Sequence, residues 1–246
     1  MTTLVQLFRH PLKSHGREEL QSVTLTAGQA MPFDRLWAVA HDHSRADGSE
    51  WARCVNFSIG TKAPKLAAIN AVLAEDGKTL TLSHPERPDL TFQPDSEAAR
   101  LIEWVLPLVP QDRALPDRIL RLAERGFTDT PFPSVSLCNL ASHRAVADKA
   151  GVALSNLRWR GNIWFDTGTA WDEFDWIGKD VAIGGALLRV REPIRRCLHT
   201  AANPETGERD VDTLGILNSW DHQDFGVYAE VIQSGQMAIG DAIEVK

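Results

Sequence analysis

The sequence predicts an α+β protein that is mainly β: barrel-like sheets with few helices, arranged as two units. Three observations carry this expectation. Short alternating runs bounded by Gly, Pro and Asp recur along the 246 residues. They do not alternate regularly with long helical runs, which disfavours a doubly wound parallel sheet. A proline-bearing segment from Pro107 to Pro116 separates two strand-rich halves, so the units are expected at 1–112 and 113–246. Two barrel-like halves meeting there would enclose a cleft, a common place for a ligand.

Leu4 to Phe8 is a short apolar run stopped by Pro11 and reads as the first strand. The loop that follows, His10-Pro11-Leu12-Lys13-Ser14-His15-Gly16-Arg17, gathers cations, a hydroxyl and a glycine at a strand mouth. It suits an anion, or is simply a solvated loop. Ser22 to Thr26 alternates polar and apolar residues, as a half-buried strand does. Asp34 to Ala40 is a second strong strand, with Arg35, Trp37 and Val39 sharing a face. An arginine on that face must snorkel to solvent or pair with a buried anion. His41-Asp42-His43 has no further ligand nearby and reads as a solvated strand end. Asp76-Gly77 between two strand-like runs predicts a hairpin. Asp95 to Leu106 is a helix, capped by Asp95 or Ser96 and ended by Pro107. Arg118 to Leu122 is another strand.

In the second half, Val135 to Leu137 is a short strand. Asn139 caps a helix from Leu140 to Ala150, which Gly151 closes. Arg158 and Arg160 precede a strand from Ile163 to Phe165. Val181 to Ile183, Gly184-Gly185 and Ala186 to Val190 form a hairpin that leads to Cys197. Asp212 to Trp220 is a short helix, and Gly226 to Ile232 and Ala242 to Val245 are the closing strands.

Composition narrows the function classes. A net charge of -7 disfavours non-specific nucleic-acid binding. Three scattered cysteines (Cys54, Cys138 and Cys197) form neither a disulfide framework nor a zinc or dithiol motif, so a cytoplasmic, reducing setting is expected. No apolar run is long enough to span a membrane, and the N-terminus carries no leader-like pattern. GxGxxG, P-loop, HExxH and GxSxG motifs are missing.

What remains is a set of cations at strand mouths: Lys13, Arg35, Arg158, Arg160, Arg195 and Arg196, with Cys197 beside the last. Cations favour thiolate over thiol, and the thiolate is both nucleophile and metal ligand. The alternative for Cys197 is a small buried hydrophobe, as Cys138 is read to be, while Cys54, after Trp51 and Arg53, is ambiguous and leans structural.

Several segments together resemble the MOSC domain family. Arg196-Cys197, Thr200, Asn203-Pro204 and Thr206-Gly207 resemble its cysteine segment. Arg158-Trp159-Arg160-Gly161-Asn162-Ile163 resembles its Arg-Phe-Arg-Pro-Asn-Ile segment, with Gly161 in place of the usual proline. Phe225-Gly226-Val227-Tyr228 and Ile239-Gly240-Asp241 resemble its C-terminal segment. Upstream, His10-Pro11-Leu12-Lys13-Ser14 and Asp34-Arg35-Leu36-Trp37 resemble the β-barrel domain that precedes it in the branch of the mitochondrial amidoxime reducing component and its bacterial relatives.

The resemblance implies a molybdenum cofactor protein, with Cys197 ligating the metal. It implies that Lys13, Ser14, Arg35, Arg160, Asn162, Arg196 and Tyr228 hold the pterin and its phosphate. Arg195, where relatives often carry a small polar residue, joins that cationic set. The implied activity is reduction of N-hydroxylated or N-oxide small molecules with electrons from a separate protein, with neither nucleic acid nor membrane as partner. The alternative is a non-catalytic cofactor or sulfur carrier using Cys197. If one clamp is built from both halves, Lys13 and Arg35 must lie close to Cys197.

Overall fold

A computed structural model describes residues 2–122 and 125–246. Its strands, in chain order, are β1 (Leu4–Arg9), β2 (Glu18–Leu20), β3 (Ser22–Leu25), β4 (Trp37–His41), β5 (Asn70–Leu73), β6 (Leu80–His84), β7 (Arg87–Phe92), β8 (Pro116–Arg121), β9 (Val135–Asn139), β10 (Ile163–Phe165), β11 (Asp180–Ile183), β12 (Ala186–Arg195), β13 (Asp224–Gln233), β14 (Gly235–Ala238) and β15 (Ile243–Val245). Among the described residues the α-helices are α1 (Ala98–Val105), α2 (Leu140–Ala150) and α3 (Thr213–Asn218). The protein is mainly β, as expected. No helix among the described residues is long and apolar enough to cross a membrane.

Eight strands form the principal sheet, in the order β15-β11-β12-β13-β9-β10-β1-β2. Its ends approach each other. Thr3 bridges Ala242, and the Leu4 amide donates to the Asp241 carbonyl at 2.9 Å, so β1 lies against the turn that feeds β15. This curling hides one face of alternate residues. Leu4, Leu7, Leu137, Ile163, Leu188, Val190, Val227 and Ala229 all point into one buried cluster. The register is fixed by that alternation, because a slip of one residue would turn the apolar set outward.

A second core sits between β4 paired with β8 and the meander β5-β6-β7, with α1 packed alongside. Leu12, Trp37, Leu66, Leu80, Phe92, Leu101 and Trp104 fill it. Strand pairing crosses the position of the expected boundary at 112. β8 returns to β4, while β1 and β2 from the start of the chain join the sheet that holds β9 to β13. The two halves are thus tied by backbone hydrogen bonds. A third, aromatic cluster stacks Trp159 on Phe225, with centroids 3.9 Å apart.

Local chemistry accounts for the element ends. The Asn139 side chain accepts from the Ala141 amide at 3.0 Å and starts α2, and left-handed Gly151 (φ 68°) ends it, as the sequence predicts. Helix α1 begins later than expected, at Ala98, without a side-chain cap. Asp95 instead accepts the indole N–H of Trp37 at 2.7 Å, a long-range bond that outcompetes the local cap. Arg35 is not part of β4. It sits one turn before the strand with φ 52°, its amide donating to the His10 carbonyl at 2.6 Å. Arg35 is therefore off the strand face, yet of the two expected fates it takes the second and pairs with a buried anion, Asp34.

Candidate functional site

The loop after β1, the turn before β4 and the end of β12 converge on one cleft of about 350 Å³. This lies within the range of about 300–1,000 Å³ usual for small-molecule sites. Eight of the nine expected site residues line it: Lys13, Ser14, Arg35, Arg160, Arg195, Arg196, Cys197 and Tyr228. Lys13 and Arg35 thus share a cavity with Cys197 from the far end of the sequence. His41-Asp42-His43 plays no part, and no group of three or more His, Cys, Asp or Glu among the described residues is placed to hold a metal by itself.

Cys197 stands where β12 gives way to a tight turn over Leu198–Ala201. Its backbone is extended, and its carbonyl accepts both the amide and the hydroxyl of Thr200, at 3.2 and 3.1 Å. The side chain is exposed to the cleft, unlike the buried hydrophobe that was the alternative. Its sulfur accepts a hydrogen bond from Thr61 Oγ1 at 3.3 Å. The Thr61 carbonyl in turn accepts from Arg209 Nη2 at 2.7 Å, so segments far apart in sequence fix the thiol's surroundings. Cys138, as expected, is core: burial pushes its thiol up to about 12. Cys54, read as structural, is exposed and lines the cleft.

Six cations and one carboxylate line the cleft, in a chain that is acidic overall. Most of the cations are already engaged. Lys13 Nζ donates to the Phe127 carbonyl at 2.8 Å and pairs with Asp129. Arg35 pairs with buried Asp34 and donates to the Arg160 carbonyl at 3.2 Å. Burial alone would raise Asp34, but Arg35 and His10 outweigh it and hold the carboxyl well below the usual range. Asp129 behaves alike: desolvation raises it, and Lys13 and Arg35 more than reverse this. Arg158 is buried against Asp210 at 2.8 Å. Arg196 donates to the carbonyls of Trp159 and Phe225 at 2.7 and 2.6 Å and lies over the Trp159–Phe225 stack. Its guanidinium braces the cleft wall rather than reaching across the cavity.

Arg160 differs. It follows a tight turn over Asn156–Trp159 and adopts a left-handed backbone (φ 50°, ψ 40°) that carries its side chain into the cleft. Its Nη2 is buried and has no partner among the described residues. Burial first, then Arg35 and Arg17, lowers this guanidinium to about 9. An unpartnered, destabilised cation of this kind is relieved by an anion. Asn162 does not reach the cavity. Its side chain accepts from Ser136 Oγ at 2.8 Å and donates to Asp34 Oδ1 at 3.0 Å and to the Phe8 carbonyl at 3.1 Å. It holds the groups that hold the cleft.

Tyr228 on β13 lies opposite Ser136 on β9 in the sheet register, and both face the cavity. Burial, followed by the Asp129 charge, raises the Tyr228 phenol, which stays a donor at neutral pH. His199 also lines the wall, neutral, lowered to about 3 by burial and by Arg160. Gly60 packs on its ring so closely that an added Cβ would sit 1.8 Å from Nδ1. Thr61, Asp129, Ser136 and His199 escaped the sequence reading. Only Ser136 lay in a run recognisable as a strand, and Thr61 comes from an irregular segment with no pattern at all.

Comparison with known proteins bears on this arrangement. Residues 1–106 match the MOSC N-terminal beta barrel domain and residues 127–244 match the MOSC domain. Over 98% of its length the chain is 31% identical to a molybdenum cofactor sulfurase of Drosophila grimshawi and 25% identical to one of Drosophila willistoni. It spans 34% of the length of each of these two relatives. Among solved structures, the YuaD protein of Bacillus subtilis aligns over 100% of this chain and 96% of its own, at 12% identity and a TM-score of 0.46.

Proposed function

The chain belongs to the MOSC family, with a MOSC N-terminal beta barrel domain ahead of its MOSC domain, and on that premise we propose that its cleft binds the molybdenum cofactor. One observation carries the reading: an exposed thiol and a buried guanidinium nitrogen with no partner among the described residues belong to side chains that line the same cavity. Cys197 would be the protein's ligand to the metal, since a soft thiolate suits a sulfur-rich centre. Arg160, with Lys13, Ser14 and Arg35 around it, would hold the pterin and its phosphate. Arg196 lines the cleft while bracing its wall, and Asn162 serves it from behind by fixing the Asp34–Arg35 pair.

The bound cofactor supplies two-electron redox chemistry. We propose that the loaded protein reduces N-hydroxylated or N-oxide small molecules. The chain's own groups orient the reaction: Tyr228 offers a protonated hydroxyl, and Thr61 donates to the Cys197 sulfur. Three unpaired cysteines are too few for an iron–sulfur set, so electrons come from a separate protein. They also suit a reducing, cytoplasmic setting.

The sulfurase relatives favour a second reading, in which the protein carries the cofactor, or sulfur on Cys197, without catalysing reduction. Metal and pterin analysis of protein purified from a molybdenum-replete host is the first test. The expected result is both groups bound, with Cys197→Ser losing molybdenum while its circular dichroism is unchanged. Purified protein free of both groups would remove the cofactor reading, and molybdenum retained in Cys197→Ser would remove the ligand assignment. Amidoxime reduction with a chemical electron donor then separates enzyme from carrier.

A further inference from the structure

We infer that the mouth of the cleft selects an anionic substrate, a carboxylate- or phosphate-bearing compound, through Arg195. The substrate class rests on the reductase reading; the preference for anions does not.

The inference starts from which cleft cations remain available. Lys13, Arg35 and Arg158 each have a carboxylate partner, and Arg196 is occupied by backbone carbonyls. Arg160 is half-buried, and its buried Nη2, without a partner among the described residues, suits the cofactor's own phosphate. That leaves Arg195. It is exposed and lines the cavity, and its side chain has no hydrogen bond or ion pair with any of the described residues. Asp224 is its neighbour across β13 but does not pair with it.

Geometry ties Arg195 to the thiol. Arg195 ends β12, Cys197 continues extended two residues on, and alternate residues of an extended chain project to one side. Both side chains line the same cavity. A second cue has the same sign: with Lys13, Arg35 and Arg158 paired to Asp129, Asp34 and Asp210, the guanidinium charges of Arg160 and Arg196 join that of Arg195 in the cleft lining without a carboxylate partner among the described residues. Such a concave cationic wall concentrates anions even on an acidic protein. An arginine fork also binds carboxylate or phosphate with two parallel hydrogen bonds.

Cys197 itself reports the local field. Iodoacetate and iodoacetamide alkylate the same thiolate, so the ratio of their rates cancels thiol reactivity and measures preference for a negative reagent. Site-resolved mass spectrometry of cofactor-free protein gives this ratio at Cys197 separately from Cys54. Arg195→Gln is expected to lower it about fivefold at low salt, an effect that shrinks at high salt. Arg195→Lys should keep most of it. So should Arg189→Gln, which removes an equal charge elsewhere on β12, where Arg189 pairs with Asp180. An unchanged ratio in Arg195→Gln, or an equal fall in Arg189→Gln, overturns the inference.

On loaded protein with its pterin content confirmed, Arg195→Gln should lower the ratio of kcat/KM for a carboxylate-bearing benzamidoxime to that for uncharged benzamidoxime about tenfold, and an unchanged ratio overturns the inference. Loss of pterin from this variant would instead assign Arg195 to the cofactor and overturn the inference. If wild-type loaded protein reduces no amidoxime, the reductase reading falls, and the alkylation ratio still decides the anion preference.

Discussion

Replacing Asn162 by alanine separates a brace from a ligand contact. The Asn162 side chain is buried and makes three kinds of bond: with Ser136, with the Phe8 carbonyl and with the Asp34 carboxylate. Loss of each neutral partner costs about 1 kcal/mol, and loss of the charge-assisted bond to Asp34 about 2 kcal/mol. Together these give about 4 kcal/mol, a large part of the roughly 5–15 kcal/mol that holds a domain folded. Equilibrium urea unfolding should show the midpoint lowered by roughly 1–2 M with little change in slope. Pterin content, measured well below that midpoint, should fall much less than in an Arg160→Gln variant. The reasoning fails if Asn162→Ala is as stable as wild type and yet loses the pterin, because Asn162 would then touch the ligand directly.

Other consequences are quickly checked. His15 is fully buried, and burial, with a smaller contribution from Arg160, lowers its imidazole to about 4. The unfolded chain protonates that group near pH 6.5 while the folded chain does not, so stability falls as pH drops from about 6.5 to 4. His15→Gln should flatten the pH dependence of the urea midpoint near pH 5 by about one proton, or about 1.4 kcal/mol per pH unit; an unaltered slope would mean the folded imidazole titrates normally. Gly60→Ala forces a methyl into the His199 ring and should cost about 1–3 kcal/mol in thermal or urea unfolding. A variant as stable as wild type would show that the ring moves aside freely. Thiol titration of the native protein should count two reactive cysteines, Cys54 and Cys197, with buried Cys138 reacting only on unfolding. Three thiols reacting at similar rates would contradict the described core.

Where the sequence reading succeeded, the determinants were local. Asn139 and Gly151 bracket α2 because capping is decided within a few residues. The Asp76-Gly77 pair and the Gly184-Gly185 pair each lie between the antiparallel partners expected of them. The failures were all long-range. Asp95 was drawn from its cap by an indole 58 residues away. Arg158, a candidate for the cleft, is neutralised by Asp210, a pairing that no periodicity announces. Thr61 reaches Cys197 only through the fold of an irregular segment that Arg209 anchors. Resemblance to a family gathered Lys13, Arg35 and Cys197 into one site, which spacing by itself would not have done. It did not distinguish side chains lining the cavity from one, like Asn162, that acts behind its wall.

Ser14, Arg35 and Arg160 share a property that reaches beyond binding. Each is a non-glycine residue with positive φ, at 61°, 52° and 50°. That conformation costs an L-residue roughly 1–2 kcal/mol, and glycine escapes the penalty. At Ser14 and Arg160 glycine therefore relieves strain and deletes a cleft side chain in a single step, whereas at Arg35 it would leave the Asp34 carboxylate buried without its partner. A selection for heat resistance alone would drift toward such replacements and empty the cleft of its functional groups while the barrel grew sturdier. Screens that improve this scaffold must score ligand retention alongside melting temperature, because in this cleft the two objectives run in opposite directions.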